Sequence, residues 1–412
     1  MLRHMRSGSH TLLGAGAAAF GAPAASAFTD RHIRRLAPRH PLASGVDHLG
    51  PHAGPAPTQR ARADMTSNIL TDRLDAGPVI CAEGFLFELE RRGYLTAGEF
   101  VPEVALEYPE ALRGLHVDFQ RAGSDVVEAF TYNGHREKMR VIGKEDLLEP
   151  LNRSALRIAR EVADQVPGNL MAGNISNSNI WDPADTAKQA EVRGMFEEMV
   201  GWAVEEGADI IIGETFYYAG EALAALEIAQ ATGLPSVITL APMAFQEMAD
   251  GVGIVETTQQ LEQAGADVVG LNCFRGPATM LPWLRKIREA VSCHVGALPI
   301  PYRTTEAEPT FFNLSDVAAS VPAPHGRTFP TALDPLFTNR YEIRDFTREA
   351  FELGVNYLGV CCGAAPIHIR EVAEAVGRTP EASRFSENMR NHFMYGDNER
   401  LPEHIVGLGA RA

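Results

Sequence analysis

The sequence predicts an α/β protein of the (β/α)8 type: a closed TIM barrel with a long loop before its eighth strand and a C-terminal extension. Three observations carry this prediction. Helical stretches end in glycine and run at once into an apolar segment, as in Ala122-Gly-Ser-Asp-Val-Val, Glu206-Gly-Ala-Asp-Ile-Ile-Ile, Ala264-Gly-Ala-Asp-Val-Val-Gly and Leu353-Gly-Val-Asn-Tyr-Leu-Gly. Glycine past a helix end takes the left-handed conformation that reverses the chain. The apolar segments are continuous rather than alternating, as in parallel strands buried on both faces. Eight of them fall within about 300 residues, the span of one such barrel. A doubly wound open sheet is the rival, and it does not need eight parallel strands.

In chain order, residues 1–64 stand apart. They hold eight Arg, no Lys and three acids, with six of the thirteen His. Residues 1–27 loosely resemble a signal peptide, with Arg3 and Arg6, then Thr11-Leu-Leu, then Ala25-Ser-Ala27. The apolar stretch is weak, and export would put reactive thiols in an oxidising compartment. The expectation is a disordered or non-native extension, with Met65 a candidate start and a cytoplasmic location. The barrel is then expected over 65–377, with strands at 78–83, 125–132, 169–176, 209–216, 235–242, 267–274, 293–300 and 355–362. Helical patterns separate them: Leu112, Leu115, Phe119 and Ala122 share one face, as do Ile343, Phe346, Ala350 and Leu353. The last helix opens at Pro366, carries Ile369, Val372, Ala373 and Val376 on one face, and closes at Gly377. Residues 301–338 lack periodicity and read as a long loop, a candidate lid or assembly arm. The polar tail 378–412 is expected to wrap a neighbour or the barrel's outside, as a candidate assembly arm of a homo-oligomer.

Composition narrows the function. The net charge of −16 argues against a nucleic-acid partner, which needs a basic footprint. No apolar run approaches the ~18–20 residues of a membrane span. Five cysteines in so long a chain are no disulfide framework. They read as metal binding or packing in a reducing compartment.

Active sites of such barrels form at the C-terminal strand ends. That end is expected to carry Glu83, Tyr132, Asn133, Asn174, Ser176, Glu214, Thr215, Cys273, Cys361 and Cys362. Cys81 falls inside the first strand and Cys293 at the start of the seventh. Cys273, Cys361 and Cys362 therefore make a three-sulfur site suited to Zn2+ with its fourth position open, the pattern of a catalytic zinc. A single cysteine at a strand end is usually a small buried hydrophobe. The Cys-Cys-Gly after a strand, together with Cys273, outweighs that.

On these residues the chain resembles the zinc-dependent homocysteine S-methyltransferase family, and most of all its betaine-dependent branch. The matching text is the segment from Gly84 to Tyr94, Gly270-Leu-Asn-Cys273, Leu358-Gly-Val-Cys-Cys-Gly363 and Pro366-Ile-His-Ile-Arg370. Val360 replaces a family glycine. The resemblance implies that Cys273, Cys361 and Cys362 bind Zn2+, that Glu214 holds the homocysteine amino group, and that Asn272 orients the substrate or the strand end. His368 reads as a helix cap rather than a catalytic group. Three departures accompany the match. The family's Asp-Gly-Gly becomes Ala82-Glu83-Gly84, so Glu83 stands one residue past the missing aspartate, and a one-residue shift in a strand changes faces. Phe100 stands where the family has a betaine-binding Trp. Asn133 and Thr215 stand at two Tyr positions. A quaternary ammonium is usually held by an aromatic cage; Phe100 and Tyr132 are expected to help hold the donor, and of Tyr132, Phe216, Tyr217, Tyr218, Phe274 and Tyr302 two or three are expected to face the site, the rest packing in the core.

The implied partners are homocysteine and a small cationic, betaine-like methyl donor, giving methionine. A sulfonium donor (S-methylmethionine or a dimethylsulfonio acid) and a non-catalytic thiol- or cation-binding relative stay open. A zinc hydrolase is disfavoured, because three thiolates leave little charge to acidify water.

Overall fold

The computed structural model describes residues 68–323 and 326–411. The expected extension, with its signal-peptide and start-site readings, lies outside the described residues. Eight strands, β1 (Val79–Ala82), β2 (Val126–Glu128), β3 (Leu170–Ser176), β4 (Ile210–Phe216), β5 (Ser236–Leu240), β6 (Val268–Asn272), β7 (His294–Leu298) and β8 (Tyr357–Val360), close into a barrel in sequence order. Every pairing is parallel, and β1 returns to β8 through Val79–Tyr357 and Ala82–Val360. Helices cover the outside. Gly123, Gly207, Gly265 and Gly354 all have positive φ, between 88° and 118°, at the helix-to-strand reversals. The recurring motif thus marks a real chain reversal.

The apolar helix faces pack as expected: Leu112, Leu115, Phe119 and Ala122 are buried, as are Ile343, Phe346, Ala350, Ile369, Val372 and Ala373. Leu353 and Val376 fall at the C-caps of their helices and are only partly buried. The strands are shorter than their apolar runs, most clearly in β2. There the Thr131 amide turns back to the Ala129 carbonyl at 2.8 Å, and Asn133 has φ of 61°. Phe130 to Asn133 thus form the barrel mouth, not more strand.

Among the described residues, no helix is long and apolar enough to cross a membrane. The stretch 378–387 runs over the outside of the barrel. Arg378 pairs with Asp125 at the foot of β2, Arg121 with Glu381 at 3.0 Å, and the Tyr341 hydroxyl donates to Glu387 at 3.0 Å.

Candidate metal centre and active site

The sulfur site is built by two sharp departures from strand geometry. Beyond β6, Cys273 and Phe274 both have φ of 52°, and the Cys273 amide donates to the Leu298 carbonyl at 3.0 Å. Beyond β8, the Cys361 amide donates to the Pro299 carbonyl at 2.9 Å, and the Ala364 amide back to the Cys361 carbonyl at 2.9 Å. Gly363 completes this turn at φ of 96°, packed so closely on Tyr302 that a Cβ would lie 2.6 Å from its hydroxyl. The result brings the Cys273, Cys361 and Cys362 sulfurs within 4.8 Å of one another. Thiolates around one tetrahedral zinc at ~2.3 Å would lie ~3.8 Å apart, so the triad is close enough to share one ion. The sulfurs also share protons in a way that suits a metal. The Cys362 thiol is held well below its usual range by the Cys273 and Cys361 thiols hydrogen-bonded to it. Burial pushes those two thiols up. Bound cations favour coordinated thiolates, so this donor set fits a soft divalent metal. Cys81 and Cys293 stand apart from the triad, as expected.

Below the sulfurs lies a polar network inside the barrel. Asn174 donates to Glu128 Oε1 at 2.6 Å and to Glu214 Oε1 at 2.7 Å. Asn272 donates to Glu214 Oε2 at 2.7 Å, to Thr215 Oγ1 at 2.9 Å and to Glu83 Oε2 at 3.1 Å, and its Oδ1 accepts from the Thr215 amide at 2.9 Å. It also approaches the Cys361 sulfur at 3.9 Å. Two side chains thereby tie three buried carboxyls to the sulfur triad. Burial pushes Glu214 up to about 7, aided by the Cys362 charge. Burial, then repulsion from Glu214, drives Glu83 and Glu128 well above the carboxylate range.

Glu83 faces the barrel axis. Its carboxyl groups with Cys81 and Glu128, and separately with Glu214 and Cys361, each set within 4.8 Å. Strand alternation then turns the neighbouring Ala82 outward. The one-residue shift therefore delivers a carboxyl to the interior.

Above the sulfurs opens a cavity of about 480 Å³, with Cys273 and Cys362 in its wall. Tyr132 and Asn133 from the strand-end reading line it, with Phe100, Tyr217 and Phe274. Thr215 is fully buried in the network beneath. Phe216 and Tyr302 are fully buried in the core, Tyr302 stacked on Phe337 with its hydroxyl accepting from Arg91 at 2.8 Å. Tyr218 precedes the helix Ala219–Ala231 and is not in the cavity wall. His368 caps its helix, with Nδ1 accepting from the Ala365 amide at 3.0 Å.

Sequence reasoning missed Phe87, Phe311, Phe312 and Phe329, which complete the aromatic wall. Phe311, Phe312 and Phe329 pack edge-on and tilted within 4.5–4.8 Å of each other. Their Phe-Phe pair in an otherwise polar loop was the available signal. All six non-glycine residues with positive φ among those described, namely Phe100, Asn133, Asn179, Thr215, Cys273 and Phe274, lie in this wall or in the network below it. Such strain persists where surrounding structure holds it, and it gathers at functional sites.

The comparisons agree with this geometry. The family model for homocysteine S-methyltransferase matches residues 80–376. Betaine–homocysteine S-methyltransferase 1 of Xenopus tropicalis is 34% identical over 338 residues, 79% of each chain. The S-methylmethionine–homocysteine S-methyltransferase BHMT2 of Rattus norvegicus is 32% identical over 343 residues, 82% of this chain and 88% of its own. Among solved structures, the metallated homocysteine methyltransferase MmuM of Escherichia coli shares the fold at a TM-score of 0.58 and 17% identity, over 74% of this chain and 99% of that one.

Proposed function

The chain belongs to the homocysteine S-methyltransferase family, and we propose that it transfers a methyl group from a small onium donor to the thiol of homocysteine, using Zn2+ held by Cys273, Cys361 and Cys362. The observation that carries this reading is the convergence of three sulfurs between an aromatic cavity and a buried carboxyl network. Zn2+ bound there would favour the deprotonated acceptor thiol, while three thiolates leave that sulfur electron-rich. The side chains supply position. Glu214 and Glu83 take the acceptor's amino group, and Asn272 holds both carboxyls in register with Cys361. Phe100, Tyr132 and Phe274 face the donor's cationic centre, with Asn133 beside them, while Thr215 supports the network from below. The acceptor sulfur forms the new S–C bond as the donor's C–N or C–S bond breaks. The electron pair of the broken bond leaves with the departing group, which becomes neutral. Bringing both reactants to one wall of sulfurs is most of the catalytic task.

A betaine-like ammonium is the first donor reading, and a sulfonium is the second. The second is favoured by Phe100, Asn133 and Thr215 standing at positions the betaine branch fills with larger aromatics. The test is a donor panel (glycine betaine, S-methylmethionine, dimethylsulfonioacetate) with zinc-loaded protein and homocysteine, read as methionine. Cys361→Ser is expected to lose both the metal, about one per chain, and turnover. Stoichiometric zinc in the triple Cys→Ser variant would refute the metal assignment. Homocysteine binding without turnover on any donor would favour a non-catalytic relative.

A further inference from the structure

Two acceptor atoms inside the barrel have no donor. Glu83 Oε1 and Asn174 Oδ1 are buried without a hydrogen-bond partner among the described residues, on side chains only 5% and 4% exposed. Both residues line a space of about 20 Å³ beneath the sulfurs, shared with Glu128, Glu214, Cys361 and Cys362. A single water needs ~10–15 Å³, so the space takes one small polar group. The amide protons nearby are already committed. Asn174 Nδ2 serves Glu128 and Glu214, and Asn272 Nδ2 serves Glu83, Glu214 and Thr215. Asn174 Oδ1 can only accept, so the occupant must donate to it. Three carboxyls crowd around it, and a cation there would relieve their mutual repulsion.

We propose that Glu128 and Asn174 complete, with Glu83 and Glu214, a cradle for the α-ammonium group of the acceptor amino acid. The proposal rests on the homocysteine reading and extends it to two residues outside the matched motifs. A primary ammonium brings three N–H donors and one charge in about the volume of a water. Cys361 and Cys362 border the same space, so one small molecule can set its sulfur at the triad and its ammonium in the cradle. Ala82 offers no carboxyl of its own. Glu83, just past β1, and Glu128 on β2 supply that carboxyl from adjacent positions inside the barrel.

The test compares homocysteine with 4-sulfanylbutanoate, which lacks only the amino group, by calorimetric titration of zinc-loaded protein. Glu128→Gln is expected to weaken homocysteine binding by roughly tenfold to a hundredfold, the range for a lost charged hydrogen bond. Binding of 4-sulfanylbutanoate and zinc content should not change. Glu83→Gln should show the same split, which keeps the test intact if one variant folds poorly. Equal weakening of both thiols, or none, would overturn the proposal. Homocysteine affinity that depends on added potassium would assign the space to a metal ion and overturn it too. Wild-type protein that binds neither thiol would instead refute the functional reading on which this one rests.

Discussion

Replacing Asn272 with aspartate exchanges one nitrogen for one oxygen and reverses the sense of three hydrogen bonds. In the wild type that nitrogen donates to Glu214 at 2.7 Å, Thr215 at 2.9 Å and Glu83 at 3.1 Å. The aspartate would set a fourth carboxyl against two others in the barrel interior. Hydrogen bonds to charged groups contribute ~1.5–3 kcal/mol each. Losing two of them costs about 3–6 kcal/mol, before like-charge repulsion is added. With ~2 cal/mol/K of unfolding entropy per residue, that is a fall of roughly 4–8 °C in the thermal midpoint. Asn272→Ala also loses the donors, but it adds no charge and should be less damaging than the isosteric change. The assay is thermal unfolding of both variants by circular dichroism, with homocysteine titration alongside. If Asn272→Asp were as stable as wild type, or more stable than Asn272→Ala, the donor role assigned to Asn272 would be wrong.

Three further outcomes follow from other buried groups. Burial holds His116 down to about 3, against Phe85 at a ring distance of 4.7 Å. Its contribution to stability is full above the unfolded value near 6.5 and is lost as pH falls from there through about 3; His116→Phe should flatten the acid limb of a urea-midpoint-against-pH plot. Glu221, whose Oε1 accepts from the Ser178 amide at 2.7 Å, is pushed up to about 7 by burial. Stability from this group is present below about 4.5 and lost as pH rises through 7; Glu221→Gln should therefore gain on wild type above pH 7 in the same measurement. Gly363→Ala meets both an unfavourable φ and the Tyr302 hydroxyl, so its metal content by atomic absorption should drop even where the barrel stays folded by circular dichroism.

Much of the barrel was legible because its punctuation is local. A glycine at a helix end and an apolar run after it are neighbours in sequence; four strands are announced that way, and apolar runs mark the others, including β7, whose preceding helix ends at Val291. The sulfur triad was legible for the same reason: strand-end location sorts Cys273, Cys361 and Cys362 from Cys81 and Cys293. Glu83 stands one residue past the family's aspartate, and only its carboxyl's place beside Cys81, Glu128, Glu214 and Cys361 shows it turned inward. Other parts needed the third dimension. The run Val126-Val-Glu-Ala-Phe130 gives no hint that Glu128 meets Asn174, because that contact depends on the β2–β3 register, Glu128 opposite Ala172. The end of β2 was overrun because Ala129 and Phe130 stay apolar while the backbone has already turned at Thr131. Phe311, Phe312 and Phe329 belong to a loop without periodicity, where no pattern links a residue to a face.

That loop has a consequence for how specificity can change. The surroundings proposed for the acceptor are residues in and at the ends of the barrel strands, where altering one side chain disturbs its neighbours' hydrogen bonds. Much of the proposed donor wall is three phenylalanines on the loop between β7 and β8, outside the barrel's strand pairing. Substitutions, or even insertions, between β7 and β8 can remodel that wall while the thiol chemistry stays as it is. Descent within such a scaffold can thus exchange one methyl source for another and keep the product the same.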